Sequence, residues 1–124
     1  MPVPSPVPLQ VMRVNGTVSN VSSTSVCYIG APFAGRVIAV GATIGAAIGT
    51  ADATCTTNIN GASNPITGGV FTLTSTGSAA GNSFSASPSA ANAVNANDGI
   101  GFVFSGTGTA GGSVVCWADV RRGN

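Results

Sequence analysis

The sequence predicts an all-β fold: an antiparallel β-sandwich of jelly-roll type, about eight short strands, with an extended N-terminal arm. Three observations point there. Short apolar runs recur between turn signals rich in Gly, Asn and Pro, two of those runs alternate apolar with polar residues, and no stretch carries the period of a long helix. At 124 residues the chain suits one domain with one core.

Residues 1–10 stand apart from the domain expected over 11–124. Pro2, Pro4, Pro6 and Pro8 alternate with Val3, Ser5, Val7 and Leu9. Each proline fixes its own φ and steers the preceding residue away from helix, so the segment reads as a polyproline-like arm. A pre-stiffened backbone loses less entropy on docking. Pro4, Pro6, Pro8 and Leu9 are therefore candidate contacts with a neighbouring chain, the plainer reading being a solvated tail.

Strands are expected at Val11–Val18, Ser25–Ile29, Gly35–Ile44, Ala53–Asn60, Val70–Ser75, Ser83–Ser87, Ile100–Ser105 and Ser113–Arg121. Asn60-Gly61, Asn64-Pro65, Gly68-Gly69, Asp98-Gly99 and Gly106–Gly112 separate them with turn or loop chemistry. Phe71 and Leu73 alternate with Thr72 and Thr74, and Ile100, Phe102 and Phe104 share one face. In the last strand, Val114, Cys116, Ala118 and Val120 should face the core. Val115, Trp117, Asp119 and Arg121 should then face outward. Outward aromatics are enriched at interfaces, which makes Trp117 a contact candidate, although a register slip of one residue would place it in the core.

One stretch offers a rival reading. Gly35–Gly49, GRVIAVGATIGAAIG, spaces Gly41, Gly45 and Gly49 as packed membrane helices do. Its apolar run is shorter than the roughly 20 residues that span a bilayer, and its glycines weaken it as a helix. A strand ending in a Gly/Ala-rich loop fits better. The Ser-, Ala- and Asn-rich stretch from Gly77 to Ala96 reads as a weak strand between long loops.

Charge is scarce. The basic residues are Arg13, Arg36, Arg121 and Arg122, and the acids are Asp52, Asp98 and Asp119, with no Lys, Glu or His. Charged residues make up 6%, against roughly 25% in an ordinary soluble domain. A folded monomer of this mass exposes about 6,000 Å², so each charge stands alone on roughly 850 Å². Such a surface protects poorly against self-association. Either Ser, Thr, Asn and Gly cover it, or an assembly buries it. A net charge of +1 with no basic run gives no footprint for nucleic acid. Arg121 and Arg122 form the one adjacent pair of arginines; beside Trp117 they are partner-contact candidates, against the simpler reading of a solvated tail.

Cys27, Cys55 and Cys116 are odd in number and far apart, with no CxxC pair, which argues against a disulfide framework and a zinc site. Reduced core thiols are expected, an intermolecular bridge being the alternative. The N-terminal MPVPSPVPLQ has no secretory character, and the triplets Asn15-Gly16-Thr17 and Asn20-Val21-Ser22 read as chance matches to the glycosylation motif.

The inventory for catalysis is equally thin. Without His there is no Ser-His-Asp triad and no Cys-His nucleophile, and three separated aspartates do not make a paired-carboxylate site. Gly106–Gly111 matches G-x-G-x-x-G in letters, but a strand follows where a dinucleotide fingerprint requires a helix. Asn95, Asn97 and Asp98 make a weak calcium cluster better explained as a turn before a strand. No enzyme activity, cofactor or metal is expected.

The segment from Ala31 to Arg122 resembles the jelly-roll head-decoration (cement) and appendage proteins of tailed bacteriophages. APFAGRVIAVGATIG, DATCTTNING and ANDGIGFVFSGTGTAGGSVVCWADVRR carry the likeness: an early Pro-x-x-Gly strand, a Thr-rich strand ending in Asn-Gly, and a Gly-rich hairpin closing on a short Arg tail. The resemblance implies a homotrimer that binds the outside of an icosahedral capsid and stabilises it by clamping major capsid protein subunits, made in the host cytoplasm and resident on the virion. It implies no catalytic residue to carry over, and the charge pattern and the short apolar run leave neither nucleic acid nor a membrane as an expected partner. The alternative is a receptor- or glycan-binding module of a phage fibre or tail, using Trp117, Tyr28 or the Asn-rich loops.

Overall fold

The computed structural model describes residues 10–19, 25–49, 51–106 and 113–123. Pro4, Pro6, Pro8 and Leu9, the Asn20 triplet and most of the Gly106–Gly112 loop lie outside the described residues. Among the described residues there are nine strands: β1 (Val11–Val18), β2 (Val26–Gly30), β3 (Gly35–Ile44), β4 (Ala53–Ile59), β5 (Pro65–Leu73), β6 (Ser83–Ala86), β7 (Ala93–Val94), β8 (Gly99–Gly106) and β9 (Val114–Arg122). Among the described residues there is no helix. The glycine-spaced stretch at Gly35–Gly49 is strand β3 and the turn after it, and no helix of the described residues is long and apolar enough to cross a membrane.

The strands pair in two antiparallel sheets, β1-β9-β3-β6 with β7 also on β3, and β2-β8-β4-β5. The pairing is nested: β1 with β9, β2 with β8, β3 with β6 and β7, β4 with β5. A long antiparallel hairpin wound round itself produces this order, which is the jelly roll. Alternation then decides what fills the sandwich. Ile100, Phe102 and Phe104 from β8 meet Val114, Cys116, Ala118 and Val120 from β9, all 0% exposed. Phe71 and Leu73 of β5 and Val37, Val40 and Ile44 of β3 close the core around them.

Two elements depart from the expectation for physical reasons. β5 begins at Pro65, not Val70, because Gly68-Gly69 is a bulge inside the strand and not its boundary. Four residues of β5 (66–69) sit opposite one of β4 (Thr57), Gly68 takes φ 77°, and the buried Thr57 hydroxyl donates to the Gly69 carbonyl at 2.7 Å. The two-residue β7 is absent from the sequence reading. Its neighbour Asn92 secures the bulge at Ile38, the amide Nδ2 donating to the Val37 carbonyl at 2.7 Å while the Val37 amide donates to the Asn92 carbonyl at 2.9 Å.

Candidate functional site

The two outward sheet faces differ in character. All four arginines stand on strands of the first sheet: Arg13 on β1, Arg36 on β3, Arg121 and Arg122 on β9. The outward positions of the second sheet carry no charge. They are Val26 and Tyr28 of β2, Val103 and Ser105 of β8, Thr54, Thr56 and Asn58 of β4, and Val70 and Thr72 of β5.

On the first face Arg13 and Asp119 are direct cross-strand partners, and the pair is bidentate, Nε to Oδ1 at 2.7 Å and Nη2 to Oδ2 at 3.0 Å. Trp117 lies one step along β9 on the same face. It points outward, as the alternation predicts, yet only 9% of it is exposed. Gly41 is its register partner on β3, and a Cβ there would run into the indole and into the Phe84 carbonyl, 2.6 Å away. The indole therefore lies down across β3, and the Arg13 guanidinium covers it at 3.8 Å from the ring centre. Trp117 shapes this face from beneath Arg13, leaving the arginine as the outermost group. Arg122 stacks on Phe33 at 4.5 Å, so it is held at the end of the sheet in place of trailing as a tail. Met12 and Val11 are 38% and 51% exposed on β1, which hydrogen-bonds with β9 alone among the described residues.

On the second face Tyr28, 54% exposed, leans across β8. Its Cδ1–Cε1 side occupies the space over Gly99 and Gly101, where added Cβ atoms would come within 3.4 Å and 2.6 Å of it. Asn58 reaches the same point from β4, and its Oδ1 accepts from the Gly61 amide at 3.1 Å. Asn60, at φ 59°, accepts from the Gly99 amide at 2.7 Å and donates to Asp98 Oδ1 at 3.0 Å. The Asn95 amide donates to Asp98 Oδ2 at 2.8 Å. These bonds, that from Asn95 first, hold the Asp98 carboxyl below its ordinary range. Beyond Asn60 lies a cleft of about 500 Å³, lined by Ile59, Asn60, Ser63, Asn64, Pro65, Ala91 and Ala93. The Asn95–Asp98 segment is thus a turn that braces β8. Tyr28 and Asn60 were named only loosely by sequence; the signal that marks Tyr28 is a pair of glycines at alternate positions on the strand beside it.

The remaining chemistry is dispersed. Asp52 precedes β4 and accepts from the Ser75 amide at 2.8 Å, while Asp98 precedes β8. With β4 and β8 antiparallel, these carboxylates stand at opposite ends of the second sheet, about 30 Å apart at strand rise. Asp119 is on the far face, bonded to Arg13. The three thiols converge inside the sandwich: Cys27 Sγ lies within 2.7 Å of where a Gly16 Cβ would stand, and Gly16 is the register partner of Cys116. All three are free. Burial pushes the Cys116 thiol up to about 12 and raises those of Cys55 and Cys27 as well. Among the described residues, no three or more His, Cys, Asp or Glu side chains are grouped to hold a metal ion.

No protein-family model matches the chain, and no curated protein does. Among solved structures, it is similar to a carbohydrate-binding module, CsCBM6-3 from Clostridium stercorarium in complex with cellobiose. The match has 18% identity and a TM-score of 0.47, over 94% of this chain and 82% of that one.

Proposed function

We propose that this is a non-enzymatic virion structural protein, a capsid decoration or cement protein that binds the outer capsid surface as a homotrimer and stabilises the shell. The observation that carries the reading is β1, an edge strand of its sheet among the described residues. Native sandwiches guard long edge strands with lysine, proline or a covering loop. Here an eight-residue edge presents exposed Val11 and Met12, and the charge of its one arginine is already engaged by Asp119. That edge follows directly on the proline-rich segment 1–10 and is continuous with Arg121 and Arg122. It suits a subunit contact, with the arginine-bearing sheet turned to the capsid and the uncharged sheet turned away. Each contact is modest, and many copies on one shell make the sum large.

Co-sedimentation with undecorated capsids of the virus that encodes the protein tests this. The full chain should pellet with the shells at a saturable ratio and raise their melting temperature. The double variant R121E/R122E, and a chain lacking residues 1–10, should both lose occupancy. A full chain that stays in the supernatant at saturating concentration contradicts the proposal.

A further inference from the structure

We propose that the outward face of the second sheet, centred on Tyr28, is a binding site for a neutral saccharide. A pyranose offers an apolar C–H face bordered by hydroxyl groups. A surface that holds one needs an accessible aromatic ring, hydrogen-bonding groups at its margin and no unsatisfied charge. The second sheet supplies each of these. Tyr28 is the most exposed aromatic among the described residues, and β8 gives it room by carrying glycine at both Gly99 and Gly101. A side chain at either position would lift the ring or crowd it. Thr56 of β4 and Asn60, in the turn just after β4, stand across β8 from the ring; Asn58 between them is buried and bonded to the Gly61 amide, and Asn60 is held at its place by the Gly99 amide and Asp98.

Chemistry narrows the ligand. All four arginines lie on the other sheet, so nothing on this face would neutralise a carboxylate or sulfate. Asp98, held ionised by its neighbours, would repel one at the margin. Neutral sugars therefore fit and acidic ones do not. Asn60 also lines a cleft of about 500 Å³, within the range of small-molecule sites, whose far wall is Ala91 and Ala93 beside the first sheet. Its lining by Ser63, Asn64 and Pro65 is uncharged too. Trp117 has no part in this site, because Arg13 covers its ring.

The test is titration of the full chain with neutral gluco-, manno-, galacto- and xylo-oligosaccharides and with acidic controls, read by calorimetry and by backbone amide shifts. At least one neutral series should bind and move the amides of Gly99 and Gly101. Tyr28→Ala should weaken that binding about fivefold to tenfold, while Tyr28→Phe retains most of it. Tyr28 is exposed, so both variants should keep the wild-type melting temperature. The inference is overturned if no neutral saccharide binds at millimolar concentration, if only acidic ones bind, or if Tyr28→Ala binds as tightly as wild type. It is equally overturned if Tyr28→Ala leaves saccharide binding intact but changes the oligomeric state, which would mean that a second copy covers this face. None of these results bears on capsid binding through the other sheet.

Discussion

The Arg13 guanidinium lies 3.8 Å from the centre of the Trp117 ring, and the ring in turn lies on Gly41. This stack crosses β1, β9 and β3, three strands contributed by the beginning, the end and the middle of the chain. It explains how an outward tryptophan comes to be buried, and it makes the arginine the group that a partner would meet.

Gly41→Ala should be among the more damaging surface-sheet substitutions. The added methyl meets the indole and the Phe84 backbone carbonyl, and the carbonyl cannot move without breaking the β3–β6 pairing. Overpacking of this kind costs about 1–3 kcal/mol, which a urea midpoint with unchanged slope would report. A wild-type midpoint would show that the indole does not rest there.

Arg13→Ala removes the bidentate pair with Asp119 and the cover over Trp117. Both interactions are at the surface, so the loss should be roughly 1 kcal/mol. The sharper readout is optical. Trp117 is the single tryptophan, and its emission should shift to the red and become more accessible to acrylamide. Unchanged quenching would mean that Arg13 does not shield the ring.

Asp98 gives a signed pH dependence. Its folded-state carboxyl titrates below the ordinary range because the Asn95 amide, and then Asn60, donate to it. The unfolded chain therefore holds the proton more tightly, and the Asp98 contribution is present above the ordinary carboxylate pKa and lost as pH falls through the depressed one. Stability measured by urea from neutral to strongly acidic pH should fall less steeply in Asp98→Asn than in wild type. Parallel curves would remove Asp98 from the account.

The thiols carry the opposite sign. The folded state keeps protons on Cys55 and Cys116 that the unfolded state releases, so their contribution is complete below the ordinary thiol pKa and declines as pH rises toward about 12. At mildly alkaline pH both should resist a thiol reagent until urea unfolds the chain, with Cys27, only half-buried, reacting ahead of them. Immediate modification of all three would place them outside the sandwich.

Much of the fold is legible in sequence because its strands are local patterns. Ile100, Phe102 and Phe104 alternate with small residues, and that alone puts them inside. Val114 to Val120 do the same for β9. What alternation does not encode is what happens on the outer faces. Trp117 and Arg121 share a face in any register, but the burial of Trp117 depends on Gly41, 76 residues earlier, and on Arg13 from the first strand. Tyr28 reads as an isolated tyrosine until β8 is placed beside it. Gly68-Gly69 reads as a boundary in sequence because glycine pairs mark turns and bulges alike, and only the partner strand tells them apart. Cys55 and Cys116 lie in the core and Cys27 packs against it, and their convergence is a product of the winding and not of their spacing.

The proposed subunit contact is the β1 edge together with the proline-rich segment 1–10 before it. Sedimentation velocity of the purified full-length protein across a range of concentrations tests it most directly. One species of about three times the 11.9 kDa chain mass is expected, dissociating when residues 1–10 are removed or when Met12→Lys places a charge on the edge. A single 11.9 kDa species that persists at the highest concentration reached would contradict it.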